Sequence, residues 1–282
     1  MWRLCLIADK LLKMIKGGGQ EEGGLFSSKD LIPLNRRSHS VDVPHVRQLF
    51  NWDCGLACVL MVLKTLGIDH YNIHDLEKLC CTTSIWTVDL AYLLHKFSVS
   101  FSFLTVTLGV NPEFSAESFY REQLQDDVGR VDGLFKKALE AGISIQVYVL
   151  HVTACYLVSV MGLFLRCRSI SGKDISVLIL SGQCIAVALV DKMKLRRTWL
   201  KDVHVPEWYG RNSDYMGHYV IICGYDADTD EFEIRDPASS RKSERVPMQF
   251  LDEARKSFGT DEDILLVSLN GKDGNKFSRP SS

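Results

Sequence analysis

A cysteine at position 54 stands between a turn-like approach, Gln48-Leu49-Phe50-Asn51-Trp52-Asp53, and a long apolar run. From Cys54 onward Leu56, Ala57, Leu60, Leu63 and Lys64 recur at three and four residues, which predicts a buried helix to about Leu66, stopped by Gly67. A thiol in that first turn lies beside backbone N–H groups with no intrahelical partner and at the positive end of the helix dipole. Both favour the thiolate, so Cys54 is the candidate nucleophile.

Acyl transfer also needs a proton carrier and donors aimed at the developing oxyanion. Gln48, six residues before Cys54, has a side-chain amide long enough to reach over the helix start and join the Cys54 backbone N–H as such a donor. Far downstream, Gly217-His218-Tyr219-Val220-Ile221-Ile222-Cys223-Gly224-Tyr225 reads as a strand that opens with a histidine, and His218 is the candidate base. After the turn Asp226-Ala227-Asp228-Thr229-Asp230, the alternating run Glu231-Phe232-Glu233-Ile234-Arg235 forms the return strand of a hairpin. It ends in Asp236-Pro237, which brings Asp236 toward His218 as the group that orients the imidazole; Asp226 and Asp228 compete for that role. Trp52 and Asp53 shape the nucleophile turn and, with Gly217 and Tyr219, are the candidates for contact with substrate.

The elements that must hold these residues fit a 282-residue chain of near-neutral charge, -2, with ordinary apolar content: one large domain with extensions. Nine cysteines show no Cys-x2-Cys and follow no secretory leader, so the expectation is reduced thiols in the cytosol or nucleus. Cys58, Cys80, Cys81, Cys184 and Cys223 read as packing residues. His45, His70, His74, His95 and His204 read as surface or structural. The charge gives no reason to expect nucleic acid as a partner.

Residues 1–16 form an amphipathic, lysine-studded segment suited either to a membrane surface or to packing on the domain. Residues 17–40 read as a linker, 41–269 as the domain and 270–282 as a disordered tail. Within the domain, helices are expected at His74 to Cys81, Trp86 to Phe97 (capped by Thr87 or Ser84), Phe119 to Ala141, Asp174 to Leu180 and Phe250 to Phe258. Strands are expected at Ser98 to Leu108, from Ile143, at Cys184 to Val190 and at Ile264 to Leu269. Asp191 to Asn212 reads as an irregular loop. Val147 to Leu165 contains no Asp, Glu, Lys or Arg; it is long enough for a membrane span and also reads as a buried element.

Gln-x5-Cys-Gly, followed much later by Gly-His-Tyr and Asp-Pro, resembles the papain-like fold, in its double-glycine leader peptidase variant. Asn51 to Cys58, Ser84 to Leu93 and Gly259 to Leu265 resemble the plant soluble guanylyl cyclase family and its animal relatives, over roughly Val43 to Leu269. The resemblance implies an α+β papain-like domain, with the nucleophile helix packed on an antiparallel sheet. In the family pattern the Ile143 strand runs almost directly into Arg168 to Ile175, so Val147 to about Cys167 reads as an insertion, and its edge residues permit a translated intron.

The family name implies conversion of GTP to cyclic GMP with Mg or Mn. The residues themselves offer no P-loop and no convincing phosphate cradle, since Gly17-Gly18-Gly19 is followed by Glu21 and Glu22. The favoured expectation is a thiol hydrolase acting on a peptide or protein with no cofactor, through Cys54, His218, Asp236 and Gln48. A guanylyl cyclase and a non-catalytic binding module are the alternatives.

Overall fold

The computed structural model describes residues 36–121, 123–147, 169–197 and 215–269. The amphipathic segment, most of the linker, nearly all of the apolar insertion, the Trp199–Tyr209 loop and the tail lie outside the described residues.

Helix α1 spans Cys54–Thr65, and every side chain from Cys54 to Leu63 is buried. Each fully buried Leu or Val contributes about 1.5–3 kcal/mol, so the helix is held on all sides. Gly67, at φ +79°, supplies the left-handed turn that ends the segment. Helix α2 (Ile73–Cys80) begins with a reciprocal cap, the Asn72 side chain accepting from the Asp75 N–H and the Asp75 carboxylate from the Asn72 N–H.

Helix α3 spans Thr87–Lys96. Its cap differs from expectation: Asp89 accepts the Trp86 N–H at 2.9 Å, whereas Ser84 donates to Asp127 and Thr87 is bonded to the Tyr219 hydroxyl at 3.0 Å. The single helix expected over 119–141 is broken into α4 (Ser118–Arg121) and α5 (Leu124–Glu140), after a 3-10 turn at Pro112–Ala116. Helix α6 (Gly172–Leu180) is capped by Ser171. Part of the expected irregular loop is helix α7 (Lys192–Arg197), and α8 spans Met248–Arg255.

The strands are β1 (Ser38–Ser40), β2 (Phe101–Thr105), β3 (Ile145–Val147), β4 (Cys184–Asp191), β5 (Gly217–Asp226), β6 (Glu231–Arg235), β7 (Glu244–Pro247) and β8 (Ile264–Ser268). They form one sheet in the order β3-β2-β8-β4-β5-β6-β7, and β1 pairs with the far half of β5. Among the described residues, only β2 and β3 pair in parallel. Strand β1 falls in the stretch read as linker, and its pairing with Gly224 to Asp226 starts the domain earlier than expected.

Side chains alternate between two cores. Ile185, Val187, Leu189, Tyr219, Ile221, Cys223, Leu265 and Val267 pack with α1 and α3. Ala186, Ala188, Val190, Val220, Ile222, Ile264 and Leu266 pack with Ile175 and Ile179 of α6 and Leu251 and Ala254 of α8. Covering both faces explains why β4 is a continuous apolar run. The architecture is the α+β arrangement expected, a cysteine-bearing helix on a mainly antiparallel sheet.

Candidate active site

The start of α1 meets the start of β5 because the residue after Cys54 is glycine. A Cβ on Gly55 would lie 3.0 Å from Leu90 Cδ1 and 3.0 Å from Tyr219 Cδ2, so any larger residue would push the helix off α3 and β5. The first backbone bond of α1 runs from the Ala57 N–H to the Asp53 carbonyl, and the N–H groups of residues 54–56 precede that ladder. Asp53 itself is fully buried: Oδ2 accepts the Leu49 N–H and Oδ1 the Phe50 N–H, each at 3.0 Å. Both carboxylate oxygens are thus spent on the approach turn. Asp53 shapes the turn and does not line the cavity beside Cys54.

His218 is 2 % exposed, and its Nε2 donates to Asp236 Oδ1 at 2.6 Å. The other ring nitrogen is left for Cys54, with which His218 shares a hydrogen bond. Asp236 Oδ1 also accepts the Ala238 N–H at 2.7 Å, and the Asp236 carbonyl is bonded to His45 Nε2 at 2.9 Å. Asp226 and Asp228 are turned elsewhere, toward Arg245 and Arg37 at the opposite end of the hairpin.

Burial pushes the Cys54 thiol up, but the hydrogen bond and charge of His218, the Tyr219 N–H and the Lys192 charge outweigh it and hold it below the ordinary thiol value. For His218 burial opposes protonation, while Asp236 and Cys54 reverse this and raise the imidazole to about 9. Burial likewise raises Asp236, and the His218 bond and charge bring it below the usual carboxylate value. The three shifts together favour a thiolate–imidazolium pair beside a carboxylate.

Gln48 sits at the edge of this group, with Nε2 donating to the Phe50 carbonyl and Oε1 without a partner among the described residues. It does not line the cavity, so the expected aim toward Cys54 is not the arrangement observed. Lys192 and His45 were missed by sequence reasoning. Lys192 opens α7 inside the stretch read as irregular, and His45 looks like any polar loop residue until its contact with Asp236 is seen.

A cavity of about 320 Å³ opens beside the thiol. Trp52, Trp86, Phe119 and Tyr120 supply aromatic walls, Gly217 and Tyr219 line it as well, and Asp127, Asp261 and Asp263 supply carboxyl groups. Asp127 is held by Arg130 at 2.9 Å and by the Trp86 indole N–H. Leu49 and Phe50 are exposed on the approach turn, as are Phe119 on α4 and Met216 before β5, and Phe50 stacks on Trp52. Among the described residues, no group of three His, Cys, Asp or Glu is placed to hold a metal ion, and no helix is long and apolar enough to cross a membrane.

A cysteine at a helix N-terminus thus faces a strand-borne histidine that a carboxylate holds from behind, on an α+β fold of the papain-like kind. By sequence the chain belongs to the guanylylate cyclase family, whose model matches residues 43–160 and 156–267. It is 50% identical over 286 residues to Guanylyl cyclase 1 of Arabidopsis thaliana, covering 95% of this chain and 97% of that protein. Among solved structures it is similar to a C39-like peptidase from Bacillus anthracis, with 18% identity, a TM-score of 0.38 and coverage of 82% of this chain and 97% of that one. It is also similar to xylellain, a cysteine protease from Xylella fastidiosa, with 11% identity, a TM-score of 0.42 and coverage of 86% and 88%. At those scores neither likeness bears on chemistry or substrate.

Proposed function

We propose that the protein is a thiol hydrolase acting on an amide or related carbonyl of a peptide or protein. The observation that carries this reading is that Cys54, which lines a cavity, interacts with His218, whose Nε2 donates to Asp236 Oδ1 at 2.6 Å. His218 takes the thiol proton, and the sulfur bonds to the carbonyl carbon. The oxyanion forms beside the N–H groups at the start of α1, and Gln48 joins them by turning its amide away from Phe50. Collapse expels the amine, which takes the proton from His218. Water, deprotonated by His218, then attacks the thioester and releases the acid with Cys54 restored.

Membership of a family named for guanylyl cyclase supports a second reading, conversion of GTP with Mg or Mn. The residues beside Cys54 do not fit that group. Among the described residues, no Lys, Arg or His lines the cavity to meet a triphosphate, and no group of three His, Cys, Asp or Glu is placed to hold the metal.

The deciding measurement is the pH dependence of Cys54 alkylation by iodoacetamide, read by peptide mass spectrometry in the wild type and His218→Ala. Fast labelling well below pH 8 that is lost in the variant supports the hydrolase. An ordinary thiol profile in folded protein overturns it. Metal-dependent cyclic GMP formation that survives Cys54→Ala would then establish the cyclase, and neither activity would leave a binding module.

A further inference from the structure

Two carboxyl groups in the cavity have no part in acyl transfer. Asp261 and Asp263 stand at the head of β8, and both line the space that Cys54 lines. Asp261 Oδ1 accepts from Thr107 Oγ1 at 2.8 Å. Asp263 is 7% exposed and lies close to the Thr87 and Thr105 hydroxyls, while its Oδ1 has no partner among the described residues. Asp127 is neutralised by Arg130, and Glu262, between the two, by Arg255. No described Lys, Arg or His forms an ion pair with Asp261 or Asp263.

An unpartnered carboxylate oxygen in a buried site asks for a donor, and two adjacent carboxyls ask for a positive one. The walls say what kind. Trp52, Trp86 and Phe119 line the cavity, and aromatic rings attract an organic cation. A cavity of about 320 Å³ is far larger than a metal ion needs. We propose that this cavity is a specificity subsite for the lysine or arginine side chain of a peptide whose scissile carbonyl is presented to Cys54.

Burial raises both carboxyls, Asp261 to about 6 and Asp263, which Asp261 also repels, well above the ordinary range. The pair retains a proton that an incoming ammonium or guanidinium can replace.

The inference rests on the thiol-hydrolase reading, and the test separates the two. Nα-acetyl-lysine chloromethyl ketone and its norleucine counterpart are compared as alkylators of Cys54 in the full chain, each rate normalised to the iodoacetamide rate of the same variant. The lysine probe should be faster by about tenfold or more, the discrimination a charge-assisted hydrogen bond provides. That ratio should fall toward one in Asp263→Asn and in Asp261→Asn, the second variant serving if the first does not fold. Equal rates in the wild type, a ratio unchanged in both variants, or a preference abolished by millimolar magnesium would overturn the proposal, the last in favour of a divalent cation. Equilibrium dialysis of Nα-acetyl-lysine amide against the norleucine amide needs no reactive thiol. If iodoacetamide reveals an ordinary thiol the hydrolase reading fails, and a dialysis preference for lysine upholds the subsite while equal binding overturns it.

Discussion

His218 Nε2, at the start of β5, lies 2.6 Å from Asp236 Oδ1, just past the end of β6, in a hairpin whose register shifts between Ile222 and Gly224. That bond, together with the bond and charge of Cys54, converts a buried imidazole, which burial alone would keep neutral, into a proton holder with a value of about 9.

The same bond makes stability depend on pH. The unfolded imidazole has a pKa of about 6.5, so folding favours its protonated form. The contribution is full below about 6.5 and is lost as pH rises through the folded value of about 9. Asp236→Asn should flatten this dependence. Urea unfolding midpoints at pH 6 and pH 9.5 check it: the wild type loses more on going alkaline than the variant, by about 1–3 kcal/mol. An equal loss in both would mean that the carboxylate does not stabilise the imidazolium.

Thiol reactivity should separate one buried cysteine from the rest. Cys58 lies one turn beyond Cys54 but has no histidine partner, and burial pushes its thiol well up; burial likewise raises Cys184 and Cys223 to about 12. Among the described residues, brief alkylation of the native protein at neutral pH should modify Cys54 and the exposed Cys81, leaving Cys58, Cys184 and Cys223 intact until denaturant is added. Peptide mapping after timed quenching reads the order directly.

Arg255 is completely buried and ties the loop before β8 to its surroundings. Its guanidinium pairs with Asp252 at 2.7 Å and Glu262 at 3.3 Å, and donates to the Ile170 carbonyl. Arg255→Met should cost about 3–5 kcal/mol, because removing one partner leaves buried charge uncompensated. A denaturation midpoint close to wild type would show that the loop carrying Asp261 and Asp263 is held by packing alone.

Much of this was legible along the chain. Cys54, His218 and Asp236, which the fold brings together, each sit where a periodic run starts or stops, and the hairpin that joins two of them is local. The cavity was not legible. Asp263 heads β8, which the fold places between β2 and β4, so its approach to Cys54 comes from strand order across the sheet. Strand β7 escaped because Glu244-Arg245-Val246-Pro247 has one apolar side chain and ends in proline, the composition of an edge strand. Gln48 was named from spacing alone, and spacing says nothing about a competing acceptor such as the Phe50 carbonyl.

Asp53 offers the sharpest separation of shape from charge. Its two oxygens each accept one backbone N–H, from Leu49 and Phe50, and the residue is wholly enclosed. Asn fills the same space but has only one oxygen, so its amide N–H₂ must face one of those donors and leave it unpaired. Asp53→Asn should therefore lose about 1–3 kcal/mol, the cost of a stranded backbone donor. The loss should be accompanied by slower Cys54 alkylation, because Asp53 also supplies the carbonyl that receives the first backbone bond of α1. Unfolding and labelling measured on one preparation decide the matter. A variant that loses stability but labels at the wild-type rate would show that the approach turn holds the domain together without setting the position of the thiol.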